Sequence, residues 1–287
     1  MLEGSDSIRD VADTAMWVAY YRAKETERPD AMFRDPLAKL LVGERGERIA
    51  RSFGPLGKYT EWTVLSRTVN IDDFISEAVA QGVDAVLNLG AGLDTRPYRM
   101  ELPGSLLWIE ADFAPVIEYK EAKLSAHKPR CQLERVALDL ADDTARRSLL
   151  SSVVRRAHKL LVLTEGVVPY LTEDEVASLA EDLGAEPRFA FWVLEYFTPA
   201  AYPYLKLAGR SRRMANAPFQ FFPADWPAFF ERHGWKIQEL RFPLTVARRF
   251  ARKPPMPWFA RLLMRFASPE QQVKAAQNAG FMLLHRK

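Results

Sequence analysis

The segment Asp84-Ala-Val-Leu-Asn-Leu-Gly-Ala-Gly-Leu-Asp-Thr-Arg-Pro-Tyr-Arg99 constrains the fold of this chain more than any other. A short apolar run, Ala85 to Leu89, reads as a buried strand. It stops at Gly90 and Gly92, where a backbone without Cβ turns tightly and lets a ligand approach. A second strand follows and ends on an acid, Ser105-Leu-Leu-Trp-Ile-Glu-Ala-Asp112. Strand, glycine turn and a second strand closing on a carboxylate form a site for an adenosine-containing cofactor. The carboxylate accepts hydrogen bonds from the ribose hydroxyls.

The turn also narrows the cofactor. A dinucleotide fingerprint needs a third glycine for close helix–strand packing. Here Gly90-Ala-Gly92 continues as Leu93-Asp94-Thr95, and that glycine is missing. No P-loop pattern occurs, so the phosphate cradle of a nucleotide hydrolase is excluded. A cofactor with a ribose and no phosphates fits better, and S-adenosylmethionine is the common one. On the turn alone, a purely structural β-turn stays open.

Beyond the turn, apolar runs and helical patterns alternate. The strands expected are Ala85–Leu89, Leu106–Ala111, Leu133–Leu138, Lys159–Thr164, Phe189–Phe197, Lys236–Arg241 and Phe281–His285. Helices fit between them at Pro115–Ser125, Thr144–Arg156, Glu173–Leu183 and Ala224–His233. This alternation predicts an α/β fold with a doubly wound sheet. Ligands of such sheets sit outside the carboxyl ends of the strands. Gly90, Asp112, Asp139 and Glu165 all fall there. Residues 8–80 read as helices, with Asp35-Pro36 as a helix start, Asp capping and Pro at the first helical position. A further helix is expected from Thr63 to Ala80. Thr172-Glu-Asp-Glu175 is a capping box opening the next helix.

The expected organisation is a single domain over residues 1–287. A helical extension occupies 1–80, the cofactor-binding core 81–197, a lid 198–223, and the rest of the core 224–287 with a basic helical insertion. The lid carries aromatics and a basic knot, Arg210-Ser-Arg-Arg213; long connections of this kind are functional lids or linkers. Residues 244–279 interleave Arg248, Arg249, Arg252, Lys253, Arg261 and Arg265 with Phe250, Trp258, Phe259, Leu262, Leu263 and Phe266. A helix packed on the domain with a solvated basic face is favoured over membrane-surface contact.

The 287 residues are 48% hydrophobic and 27% charged, enough for a sizeable core. A net charge of +3 is too weak to imply nucleic acid. The single Cys131 rules out a disulfide framework and fits a reducing cytosol, so a cytoplasmic location is expected. No signal peptide is apparent, and no apolar run approaches the ~18 residues of a membrane span. The four histidines are scattered, so no metal site is expected.

The run Leu87 to Arg99 resembles the leucine carboxyl methyltransferase superfamily. The likeness is closer to its bacterial branch, which includes polyketide O-methyltransferases of the tetracenomycin type. Matching segments are Thr14-Ala-Met-Trp-Val-Ala-Tyr-Tyr-Arg-Ala23, Phe33-Arg-Asp-Pro-Leu-Ala38, Arg67-Thr-Val-Asn-Ile-Asp72, Trp108-Ile-Glu-Ala-Asp112 with Lys120, Asp139-Leu140, and Glu165-Gly-Val-Val-Pro-Tyr-Leu171. They run in family order over residues 10 to about 200.

The resemblance implies a class I S-adenosylmethionine-dependent O-methyltransferase, with a Rossmann-like seven-stranded sheet whose last strand is antiparallel. By matching motifs, Arg67 pairs with the methionine carboxylate of the cofactor, and Arg22 assists. Gly90 and Gly92 lie against its sulfonium side, and Asp112 holds the ribose. Asp139 with Leu140 frames the adenine. Glu165 sits near the methionine amino group or the substrate entrance. Residues beyond 198 match no member of known substrate, so the acceptor is left open.

The residues agree with this carry-over. Arginine suits bidentate carboxylate capture. Arg67 and Asp72 are five apart, so an intrahelical pair is not favoured. An ionised carboxylate acceptor needs no general base, whereas a phenol with pKa about 10 profits from one. No His or Lys constellation supplies a base, which tilts the expectation toward a carboxylate or acidic hydroxyl of a small molecule. Tyr170, Glu195 and Tyr196 lie near predicted strand ends and are the candidates for touching the acceptor. Two rival functions remain: a nicotinamide-dependent oxidoreductase, and a non-catalytic or membrane-associated protein that kept the cofactor site.

Overall fold

Seven strands form one sheet in the order β3-β2-β1-β4-β5-β7-β6. The computed structural model describes residues 11–54, 57–209, 218–256, 262 and 265–287. β1 (Ala85–Leu89) is buried along its whole length, because it lies between β2 (Leu107–Asp112) and β4 (Leu160–Leu163), parallel to both. A strand covered on both faces reads as a continuous apolar run rather than an alternation. β3 (Gln132–Ala137) continues the parallel sheet beyond β2. β5 (Phe189–Phe197) continues it beyond β4. β7 (Ala279–Arg286) runs antiparallel to β5 and to β6 (Trp235–Arg241).

The chain winds outward through β1, β2 and β3, then returns to lay β4 against the other side of β1. That reversal is the switch point at which ligands of open α/β sheets bind. Gly90 follows β1 directly at this point.

Side chains alternate between the two faces. Leu87, Ile109, Val162 and Trp192 point to one, where Trp226, Phe230 and Trp235 complete the core. Val86, Trp108, Leu163, Phe191 and Val193 point to the other, under Phe74 and Ala78 of the long helix α3 (Gly57–Ala80). On β5 the same alternation sends Glu195 to the α3 face and Tyr196 to the Trp226 face.

α1 (Val11–Thr26) and α2 (Ala38–Ser52) pack on each other before the sheet begins. Gly46 allows the approach: a Cβ there would lie 2.8 Å from Met16 Cβ. The short α4 (Arg96–Arg99) follows the glycine turn, and α5 (Ala114–Leu124), α6 (Asp143–Val154) and α7 (Glu173–Gly184) connect the parallel strands. α8 (Tyr202–Gly209), α9 (Trp226–Arg232), α10 (Pro243–Arg249) and α11 (Pro269–Ala276) complete the described helices.

Three expectations need correction or limits. Asp35-Pro36 does not start α2, which begins at Ala38 with no side-chain cap at Leu37. Asp35 accepts from the Ala38 amide at 3.1 Å, but its other oxygen faces Arg22 and Arg99 inside the protein. The helix expected from Thr63 begins earlier, at Gly57. The basic knot Arg210, Arg212 and Arg213 lies outside the described residues, as do Trp258, Phe259 and Arg261.

Part of the basic segment is packed. Arg249 pairs with Asp73 at 2.6 Å and Arg252 with the buried Glu25 at 3.0 Å, tying this segment to α3 and α1. No helix among the described residues is long and apolar enough to cross a membrane.

Thr172 caps α7 as its sequence implies, with the reciprocal Glu175 bond in place. Thr172→Ala is expected to lower stability by about 1 kcal/mol in chemical denaturation. An unchanged midpoint would contradict the cap.

Candidate active site

Gly90 adopts φ +68° and Gly92 φ +47°, both in the left-handed region. At Gly90 the requirement is doubled, since a Cβ would come within 2.3 Å of Val167 Cγ2. The turn brings the Gly92 amide onto Asp112 Oδ2 at 2.6 Å, while the Phe113 amide donates to Oδ1 at 2.7 Å. The Asp112 carboxylate is therefore held by two backbone donors rather than capping α5. Burial raises its pKa, and the two amides offset that rise only in part. Phe113 beside it is 49% exposed and lines the same cavity.

On the other side of the β1 turn stands Arg67. Its Nε lies 2.7 Å from Glu165 Oε1, and its Nη1 lies 3.6 Å from Glu195 Oε1. Arg67 and Asp72 indeed take different partners. Asp72 binds Arg96 at 2.7 Å and Arg99 at 2.6 Å.

Arg96 is the hub of this charge cluster and is 1% exposed. It meets Asp72, Asp94 at 3.0 Å and Glu165 at 2.6 Å. Asp94 also accepts from Asn88 at 2.9 Å. Burial works to raise the Asp94 pKa, but Arg96, Lys120 and Arg22 together outweigh it and hold the carboxyl well below its usual range. Glu165 is likewise lowered: burial opposes ionisation, and Arg96 and Arg67 overcome it. Glu195 differs. Burial pushes it up to about 7, with Arg67 only partly offsetting the effect.

Of these groups Arg67, Asn88, Asp94, Asp112, Phe113 and Glu165 line one cavity of about 330 Å³ at the carboxyl ends of the strands. Arg22, Arg67, Gly90, Gly92, Asp112, Asp139, Leu140 and Glu165 all line it. The structure thus brings together every residue expected at the cofactor. Arg22 donates to the Leu93 carbonyl at 2.5 Å and faces Asp35 at 3.4 Å. Asp139 is exposed and accepts from the Ala141 amide at 2.9 Å. α1 closes one side with Thr14, Ala15, Trp17 and Val18.

The acceptor candidates separate. Tyr170 lines the cavity; its ring packs on Phe219, and its carbonyl accepts from Gln220. Burial raises its hydroxyl to about 12. Glu195 stands behind the lining, bonded to the Gly166 amide at 2.5 Å. Tyr196 faces the opposite side of the sheet, against Trp226 and Phe242.

Sequence reasoning assigned no role to Asp72, Asp94, Arg96, Trp17 or Phe113. A signal was present for Asp94 and Arg96, which directly follow the buried strand and its glycine turn, but not for Asp72, which lies on α3. The four-residue α4 also provides no extended helix N-terminus for a pyrophosphate, against a dinucleotide reading.

Sheet order, antiparallel last strand and cavity position define a class I methyltransferase fold. The family model for leucine carboxyl methyltransferase matches residues 15–184, more than half of the chain. The chain belongs to that family, whose members are S-adenosylmethionine-dependent. A Mycobacteroides abscessus protein is 33% identical over 62% of this chain and 63% of its own length. A Parafrankia protein is 33% identical over 85% of this chain and 83% of its own. The names of both place them among S-adenosyl-L-methionine-dependent methyltransferases. A solved Thermobifida fusca structure, named for methyltransferase, shares the fold with a TM-score of 0.53, 16% identity and 94% coverage of each chain.

Arg96→Met would leave Asp94 buried without its ion pair, held only by Asn88 and the backbone amide of residue 96. It is expected to cost about 3–5 kcal/mol in chemical denaturation; a loss below about 1 kcal/mol would contradict the hub. Glu195 sets the pH dependence. Its folded pKa lies above the unfolded value, so between the usual carboxylate range and about 7 the folded state binds more protons. Its contribution to stability is therefore lost as pH rises through that window. Glu195→Gln should raise Tm more at pH 8 than at pH 5; equal shifts would contradict this.

Proposed function

We propose that this chain is an O-methyltransferase that moves the methyl group of S-adenosylmethionine to a carboxylate or hydroxyl oxygen of a small molecule. One observation carries the reading. A carboxylate fixed by backbone amides and an arginine among carboxylates line one cavity from the two sides of the β1 turn. This donor set suits a ligand with a ribose diol at one end and an amino-acid group at the other. Asp112 would hold the diol, Arg67 the methionine carboxylate, and Glu165 the amino group. Phe113, Leu138 and Leu140 offer apolar surface for the adenine.

When bound, the cofactor supplies a sulfonium-activated methyl group. The chain's own task is then alignment and exclusion of water. Holding the two reactants in line can supply roughly 7–11 kcal/mol of barrier reduction. Among the described residues no His or Lys lines the cavity, and Tyr170 stays protonated at neutral pH. These features support an acceptor that is already ionised, a carboxylate before a phenol.

Calorimetry with S-adenosylhomocysteine, with NAD as control, tests the cofactor. Binding of the sulfur ligand alone, weakened at least about tenfold by Asp112→Ala and by Arg67→Ala, is expected. Binding of NAD instead would overturn the reading. Radiolabelled methyl transfer to paired carboxylic acids and phenols then tests the acceptor, with the carboxylic acids expected to be labelled. Transfer only to nitrogen acceptors would contradict O-methylation.

A further inference from the structure

Glu195 occupies an unusual position behind the cavity wall. Its Oε1 accepts from the Gly166 amide and lies 3.6 Å from Arg67 Nη1, while its Oε2 is buried with no hydrogen-bond partner. The charged groups facing it are Arg67 from α3 and Glu165 from the loop after β4; the Tyr170 hydroxyl also faces it. On the β7 side it is paired with Phe281, which brings no charge. Glu195 therefore depends on Arg67 alone among these groups for a positive charge. Arg67 already gives its shorter contact to Glu165. Glu165 has a second cation in Arg96, and among the described residues Glu195 has none.

We propose that Glu195 is a positioning residue for Arg67 that takes up a proton when Arg67 engages the methionine carboxylate of the cofactor. The inference rests on the reading of Arg67 given above. A ligand carboxylate on Arg67 adds a third anion around a single guanidinium that is mostly withdrawn from water, while the ligand's amino group goes to Glu165. Of the three, the carboxylate without a second cation is the cheapest to neutralise. Protonated, Glu195 still accepts from the Gly166 amide, so the loop after β4 stays in place. Its charge no longer competes for Arg67, and the guanidinium turns wholly to the ligand and Glu165.

Burial already brings Glu195 to about 7, so the uptake falls in a measurable range. Binding should then take up a fraction of a proton that grows with pH, and weaken up to about tenfold between pH 6 and pH 8.

The test is calorimetry of S-adenosylhomocysteine with the full chain, in buffers of different ionisation enthalpy, from pH 6 to pH 8. Wild type and Glu195→Gln are compared, so that the ligand's own titration cancels. Gln keeps an acceptor for the Gly166 amide and removes the titration. The expected result is proton uptake and pH-dependent affinity in wild type, and neither in Glu195→Gln. Binding with zero uptake or proton release in wild type overturns the inference, whether or not the variant folds. Uptake that persists unchanged in a folded Glu195→Gln overturns it too. Both results leave the cofactor reading intact. Failure of the folded wild type to bind overturns that reading, and this inference with it.

Discussion

The candidate site depends on one buried cation. Arg96 is drawn from a four-residue helix, and its guanidinium joins α3 through Asp72, the glycine turn through Asp94, and the loop after β4 through Glu165. A charge so fully removed from water is tolerated only when it is paired and hydrogen-bonded. The sheet arranges this, because the carboxyl ends of β1 and β4 are neighbours and α3 crosses the same face. Each acid serves twice. Asp72 also anchors Arg99, Asp94 also receives Asn88, and Glu165 also engages Arg67. Arg67 is thereby set at the cavity by a cation it does not touch.

The same logic of burial recurs behind β2. Lys120 and Glu110 form a fully buried pair at 2.8 Å, with Arg135 as a second partner for the acid. Burial drives both members toward their neutral forms, each held back by the other. This pair lies under the strand that ends on Asp112, so the carboxylate at the cavity rests on a braced strand. Two strand ends, one on each side of β1, are supported by buried ionic contacts.

Much of this was legible in the sequence. The strand–turn–strand pattern from Ala85 to Asp112 depends on local rules: apolar runs, glycines where φ must be positive, and an acid at a strand end. These need no knowledge of distant partners, and the strand bounds fall within two residues of expectation throughout. The fate of Asp35 was not legible, because Asp-Pro has an ordinary local role as a helix start. Only the arrival of Arg22 and Arg99 from elsewhere in the chain turns it inward. Glu195 and Tyr196 illustrate the same limit. Adjacent on β5, they face opposite sides of the sheet, and which side holds α3 is a matter of topology. The hub required knowing that three segments converge, although each had been noticed as a motif.

A crystal structure of the protein with S-adenosylhomocysteine tests the account most directly. The expected complex has the ribose hydroxyls on Asp112 and the amino-acid carboxylate on Arg67. Arg96 keeps Asp72, Asp94 and Glu165. A ligand seated with its adenosine at Arg67, or one that draws Glu165 off Arg96, would contradict the assignment of the cavity's two sides.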